Sequence, residues 1–274
     1  LVKLAYSRDI RGQVIFLGTG TSHGVPMIGC GCATCVSSNP RNQRTRSSIL
    51  WGLPEGNLLI DTPPELRLQL TREGVGLVHA VALTHAHADH LFGLDDLRIF
   101  PRYLGHEVPL YCEEPVEASI RRVFAYAFDP IYEAFPAGGV PKLVFRRVAA
   151  GTPFALLGAR VTPLRVFHGR QGILGFRIGN VAYCTDTKTI PPETMDLLAG
   201  LDVLILDGLR REPHVTHMSI DEAVEVSRQL APRQTFFTHI SHHLEHVETN
   251  RRLPSGMALA YDGLAFPLDL GDSP

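Results

Sequence analysis

A chain of 274 residues, 45% of them apolar, suits one large domain or two small ones with a sizeable core. Its formal charge of −2 and pI of about 6.7 argue against a broad nucleic-acid footprint, which needs a basic domain. No apolar run approaches the roughly 20 residues of a membrane span, and no charged start leads into an apolar stretch, so membrane and secretion lack support and cytoplasm is the default.

The first residue is Leu1 rather than Met, which leaves room for residues upstream. Residues 13–17 read as a strand. The turn Gly18-Thr19-Gly20-Thr21-Ser22 follows, and its glycines let the backbone approach a ligand or another loop. It lacks the lysine of a phosphate loop, so a structural turn and a substrate-facing loop are equally good readings. Five cysteines make no disulfide framework, and three of them cluster in Cys30-Gly31-Cys32-Ala33-Thr34-Cys35. This spacing reads as three ligands of a structural zinc, because clustered free thiols in a loop oxidise readily unless bound. The fourth ligand must come from elsewhere. Cys112 and Cys184 lie in apolar runs and read as packing residues. The basic patch Arg41-Asn42-Gln43-Arg44-Thr45-Arg46 is either solvated or phosphate-facing. Residues 57–60 form a strand ending at Asp61, where a carboxylate can orient a ligating histidine. Residues 64–73 read as a helix stopped by Gly74.

The run 78–83 reads as a buried strand that delivers Thr84-His85-Ala86-His87-Ala88-Asp89-His90. Residues two apart on an extended chain face one side, so His85 and His87 can grip one metal. Asp89 suits the N-cap of a short helix toward Leu97, with Asp89 and His90 aimed at a second metal. A loop at the carboxyl end of a strand is where open α/β sheets place their chemistry. A solvated His-rich turn is the plainer reading, and four ligands so closely spaced outweigh it.

Residues 108–112 read as a strand and 115–128 as a helix. Segment 121–139, with Phe124, Tyr126, Phe128, Tyr132 and Phe135, reads as a lid, a substrate wall or a homodimer contact, some of its aromatics lying on a buried helix face. Residues 142–148 and 159–167 are β-rich, and His168 ends the second run. Residues 174–178 and 181–184 read as a hairpin around Gly179-Asn180, with Asp186 at its exit. Residues 203–206 repeat the form and end at Asp207. Ser219-Ile220-Asp221-Glu222 is a capping box that starts a helix. His217 lies two residues upstream, at the positive end of the helix dipole, and His214 lies farther off. Such a histidine loses its proton easily. Residues 235–238 form the last core strand, running into His239-Ile240-Ser241-His242-His243, with His246 one turn on. Residues 257–261 close the pattern. No stretch resembles a linker, so residues 1–274 read as a single domain.

His-x-His-x-Asp-His after an apolar strand resembles the signature of the metallo-β-lactamase-fold hydrolases. That resemblance implies an α/β fold, a four-layer αβ/βα sandwich. It also implies two divalent metals, Zn or Mn: His85, His87 and His168 would hold one, Asp89, His90 and His239 the other, and Asp186 would bridge them. Metals about 3.5–4 Å apart stabilise both attacking and leaving oxygens and bring the pKa of water toward about 7. Asp61 and Asp207 are candidates to support the ligands. The Cys-x-Cys-x2-Cys array, Thr238-His239-Ile240-Ser241-His242, and Leu253-Pro254-Ser255-Gly256-Met257 followed by Tyr261-Asp262-Gly263 are similar to the phosphoribosyl 1,2-cyclic phosphate phosphodiesterases of bacterial phosphonate breakdown. This likeness runs over residues 14–264. It implies Cys30, Cys32, Cys35 and His242 as ligands of a structural zinc, with His243 or His246 as substitutes for His242. It also implies His217 as general acid, Asp89 as a second catalytic residue, and a small cyclic phosphodiester as substrate. Ser219 stands where an acidic residue is expected, and segment 121–139 is longer than expected. Both departures bear on the substrate. Pyrroloquinoline quinone pathway proteins also carry the cysteine array, so an accessory role in cofactor biosynthesis is the alternative. RNA 3′-end processing is disfavoured by the acidic pI, and a lactamase by the extra zinc. The expected partner is a small phosphorylated molecule.

Overall fold

The computed structural model describes residues 4–132 and 138–270, which form two seven-stranded sheets sharing one core. The first part of the chain supplies β1 (Gln13–Gly18), β2 (Ser48–Leu53), β3 (Gly56–Ile60), β4 (Ala80–Ala82), β5 (Val108–Cys112) and β6 (Leu143–Arg147). The second supplies β7 (Phe154–Leu156), β8 (Ala159–His168), β9 (Gln171–Ile178), β10 (Val181–Cys184), β11 (Val203–Asp207), β12 (Gln234–Thr238) and β13 (Met257–Leu259). Strand β14 (Ala265–Pro267) returns to the first sheet and pairs antiparallel with β1. Helices α1 (Leu66–Glu73), α2 (Ala88–Leu91), α3 (Pro101–Leu104) and α4 (Glu114–Val123) belong to the first sheet's outer layer. Helices α5 (Pro192–Leu197), α6 (Ile220–Leu230) and α7 (His246–Arg252) belong to the second's.

Side-chain alternation sorts each strand between two cores. Val14 and Phe16 face the second sheet, whereas Ile15 and Leu17 face the helices. Likewise Leu58 and Ile60 point inward and Leu59 outward. On the second sheet Tyr183 and Ile205 enter the shared core, while Ala182, Cys184, Leu204 and Leu206 pack under α6. Strands buried on both faces read as continuous apolar runs, which is how these runs look in the sequence. The arrangement is the four-layer αβ/βα sandwich expected above. Cys112 and Cys184 are core residues, and burial pushes both thiols up to about 12.

In each sheet four neighbouring strands run parallel, β3 to β6 and β10 to β13. Their carboxyl ends carry the loops that hold the candidate ligands. Residues from the two ends of the sequence meet there. Asp262 accepts from Thr19 N–H at 2.9 Å and Thr45 N–H at 2.9 Å. Gly18 packs so closely on this bracket that a Cβ would lie 2.0 Å from the Arg46 carbonyl. The Gly18–Ser22 turn thus approaches another loop, which is the structural one of its two readings.

The basic patch is also structural. Arg44 is buried, and its guanidinium donates to the carbonyls of Ser241 (2.8 Å) and Leu244 (2.7 Å) and to Asn42 Oδ1 (3.1 Å). Arg46 pairs with Glu65, and Arg41 lies over the Tyr261 ring at 4.6 Å. Backbone carbonyls and a carboxylate engage Arg44 and Arg46, whereas Arg41, over its aromatic face, stays exposed.

The helix expected over 115–128 is shorter. It ends at Val123 and gives way to a 3-10 turn, Ala125–Phe128. Burying Phe124 while stacking Phe128 on Phe145 at 5.6 Å requires a change of direction that a continued α-helix would not supply. Phe135 and the Tyr132 side chain lie outside the described residues.

Candidate metal centre

Three of the site's side chains leave their strands through left-handed backbone: Asp61 (φ 64°), Asp186 (φ 53°) and His239 (φ 57°). Each lies one or two residues past a parallel strand. Non-glycine residues there cost about 1–3 kcal/mol each and persist where the surroundings over-determine them. At Asp61 the surroundings are visible. Its buried carboxylate accepts from Thr84 N–H (2.8 Å), Thr84 Oγ1 (2.8 Å) and His90 Nδ1 (2.7 Å). Burial pushes this carboxyl up, and His90 and Thr84 work against the push. Thr84 Oγ1 also meets His85 Nδ1 at 2.9 Å. Asp61 and Thr84 therefore fix the orientation of two histidines. Asp61→Asn is expected to lower metal affinity by about 10–100-fold, because one amide group cannot accept all three bonds. Metal titration followed by calorimetry checks it.

The helix start differs from the expected one. His87 occupies the N-cap position of α2, without a side-chain cap, and Asp89 lies inside the first turn. The Asp89 carboxylate instead lies 3.4 Å from His90 Nε2 and 3.6 Å from His239 Nε2. Side-chain approach to these donors takes precedence over helix capping.

Asp186 stands at the centre. Its carboxylate lies 3.1 Å from His90 Nε2, 3.3 Å from His239 Nε2 and 4.0 Å from His85 Nε2. All three nitrogens are buried and have no hydrogen-bond partner. Leaving them so costs about 1–3 kcal/mol each, and a cation shared by nitrogens and carboxylate removes that cost. The donor set therefore fits divalent metal. Donor atoms of Asp89, His90, Asp186 and His239 all lie within 4.8 Å of one another. His168, Asp186 and His217 form a second such group. His85, His87 and His168 lie together, with ring centroids 4.5 Å (His85–His87), 5.1 Å (His87–His168) and 5.7 Å (His85–His168) apart. His168 is oriented through Nδ1, which faces the carbonyls of Asp186 (3.1 Å) and Thr216 (3.0 Å).

His217 stacks on His239, centroids 4.6 Å apart and planes 12° apart, and touches His168 at 4.5 Å. Its Nδ1 lies 2.7 Å from Asp207 Oδ2. Burial pushes the Asp207 carboxyl well up and the His217 imidazole down. This pairing was not readable: each residue stands out in the sequence, but ten positions of irregular loop separate them. The capping box is present, with Ser219 N–H donating to Glu222 at 2.7 Å.

The cysteine array closes on the carboxyl-terminal loop. His242 Nδ1 lies 3.5 Å from Cys30 Sγ and 3.3 Å from Cys32 Sγ, and Cys35 completes the group. Zinc bonds of about 2.3 Å to sulfur and 2.0–2.1 Å to nitrogen at a tetrahedral angle put S and N about 3.6 Å apart, so these four fit that metal. His242 brings the Cys32 thiol down to about 6, while burial pushes Cys35 up to about 11. His243 instead meets Ser241 Oγ at 3.1 Å, and His246 packs on Tyr261.

Residues 56–240 match the β-lactamase superfamily domain. The chain belongs to that superfamily. Within the β-lactamase superfamily it is similar to a new diphosphatase from the PhnP family, whose crystal structure is 44% identical over 93% of this chain and 96% of that one, with a TM-score of 0.85. Coverage and identity of that order place this superfamily member in the PhnP family. It is also 38% identical, over 94% of its length, to an octanoyltransferase of Porphyromonas gingivalis strain W83, and it spans only 52% of that protein. Zinc-bound PqqB from Methylobacterium extorquens shares the fold at 20% identity, with a TM-score of 0.74 over 93% of this chain and all of that one. Superfamily and family membership make this chain a metal-dependent hydrolase. Among the described residues no helix is long and apolar enough to cross a membrane.

Proposed function

We propose that this protein hydrolyses a small cyclic phosphodiester, of the phosphoribosyl 1,2-cyclic phosphate type, at a two-metal centre. The observation that carries the reading is the gathering of His85, Asp89, His90, His168 and His239 around Asp186, directly beside the His217–Asp207 pair. His85, His87 and His168 would hold one metal and Asp89, His90 and His239 the other, with Asp186 available to both. Cys30, Cys32, Cys35 and His242 would hold a structural zinc. Divalent metals bound in the first two places would polarise phosphoryl oxygens and bring the pKa of water toward about 7. The chain's own residues do the rest. Asp61 and Thr84 keep His85 and His90 in place. Asp89, on the first turn of α2, stands beside the reacting phosphorus as a carboxylate. Asp207 holds Nδ1 of His217, which leaves Nε2 to hand a proton to the departing alkoxide.

Two relatives bear on the substrate. The 44% identity to a diphosphatase favours a second reading, cleavage of a diphosphate by the same residues. Likeness to PqqB extends to sequence, at 34% identity over 72% of this chain and 72% of that protein in Methylorubrum extorquens, and it supports the accessory role in cofactor biosynthesis as the alternative. The test is elemental analysis of the purified chain together with hydrolysis of bis(p-nitrophenyl) phosphate, a ribose cyclic phosphate and a sugar diphosphate. About three metals per chain and preference for the cyclic ester support the proposal, on the coordination expected of one structural and two catalytic ions. Preference for the diphosphate moves the assignment to the second reading. No turnover with either Zn or Mn overturns both.

A further inference from the structure

His214 lies outside both ligand sets, yet the fold holds it against His217. The two rings have centroids 5.2 Å apart, inclined by 44°. Nδ1 of His214 accepts from Thr216 N–H at 3.3 Å and faces Thr216 Oγ1 at 3.1 Å. A neutral imidazole with an occupied Nδ1 acceptor carries its proton on Nε2. The ring is therefore a fixed donor with its free N–H on the side away from Thr216. Thr216 is itself pinned. Its carbonyl meets His168 Nδ1 at 3.0 Å, and Gly169, in left-handed backbone (φ 62°), packs so tightly that a Cβ would lie 2.9 Å from Thr216 Cγ2. His214 is half-buried, and its neighbour Val215 is 82% exposed, so the donor stands where the site meets solvent.

Two cations act on it, one of them paired with a carboxylate. Burial holds the His214 imidazole below its ordinary range, and the Arg210 and Lys188 cations add to that push. Arg210 spends its hydrogen bonds on the carbonyls of Glu212 (3.3 Å) and Pro213 (3.2 Å), which leaves its charge in place. Lys188 is held by Glu222 at 2.7 Å. A neutral N–H donor near the Arg210 cation, which donates to carbonyls, suits an anion beyond the reacting phosphate.

We propose that His214 is a substrate-binding residue that donates its Nε2–H to a second anionic group on the leaving half of the substrate, drawn in by Lys188 and Arg210. This rests on the reading in which His217 protonates the leaving oxygen, since His214 packs against that ring. It predicts a preferred substrate with two phosphoryl groups, one cleaved and one recognised.

The experiment measures binding of ribose 1,5-bisphosphate and ribose 1-phosphate to the metal-loaded protein by calorimetry, with hydrolysis of bis(p-nitrophenyl) phosphate followed separately. The wild-type chain should prefer the bisphosphate by about tenfold or more, the value of one hydrogen bond to a charged group. His214→Ala should reduce that preference to within about twofold. His214→Gln, whose amide nitrogen reaches the position of Nε2, should restore most of it. A preference that is absent in the wild type, or retained in His214→Ala, overturns the proposal. If the preference depends on His214 but the wild type cleaves no phosphodiester, the anion site stands and the phosphodiesterase reading falls.

Discussion

His217→Ala is expected to lower turnover of an alkyl phosphodiester by about 10²–10⁴-fold without removing metal. An alkoxide is a poor leaving group, and outside the proposed ligand sets the structure offers His217, whose Nδ1 is already committed, at 2.7 Å, to the buried Asp207 carboxylate. The same substitution should cost far less, under about tenfold, on bis(p-nitrophenyl) phosphate, because nitrophenolate departs without a proton. The comparison matters because donor atoms of His217 also group with those of His168 and Asp186. A metal ligand and a proton donor occupy similar ground. Measuring kcat on both substrates with elemental analysis separates them. Equal losses on the two esters, together with missing metal, would assign His217 to the metal instead.

Cys32→Ser should remove one equivalent of zinc and lower the unfolding midpoint by about 10 °C or more, the shift that several kcal/mol produce in a chain of this size. The array does more than close a local loop. It joins the 30–35 segment to His242, and His239 lies three residues earlier on the same turn. Arg44 reinforces the junction from inside by holding two carbonyls of that turn. Loss of the zinc should therefore weaken the active-site metals as well, with reduced turnover that added zinc or manganese does not restore. Cys112→Ala is the control. It opens a cavity in the core and should lower stability while the full metal complement remains. Differential scanning calorimetry and elemental analysis of the two variants read both effects.

Much of this was legible in the sequence because the chemistry sits at strand ends. Apolar runs announced the strands, and the residues after them, His85, His168, Asp186 and His239, could be taken in order. The capping box of α6 was legible for the same local reason, since Ser219 and Glu222 are three apart. What stayed hidden was non-local or conformational. Arg41–Arg46 reads as a surface patch because its partners, Ser241, Leu244, Glu65 and Tyr261, are distant in sequence. The left-handed backbone at Asp61, Asp186 and His239 has no glycine to announce it. Asp89 looked like a cap because Asp commonly caps helices, and nothing local shows that a carboxylate is needed elsewhere. The Thr84 hydroxyl was missed although it stands directly before the motif. A polar residue between a buried strand and a ligand is the signal that would have found it.

The separation between the thiols and His242 also governs how the protein is made. Cys32 and its histidine are 210 residues apart. A ribosome adding about 5–20 residues per second needs about 10–40 s to cover that distance. During that time the three thiols leave the exit tunnel with their last ligand still unsynthesised. The amino-terminal sheet can collapse in the meantime, but the loop that completes the metal centre must wait for the final part of the chain. With the four residues holding zinc as proposed, a reducing, zinc-supplied setting during translation should therefore raise the share of chains that mature.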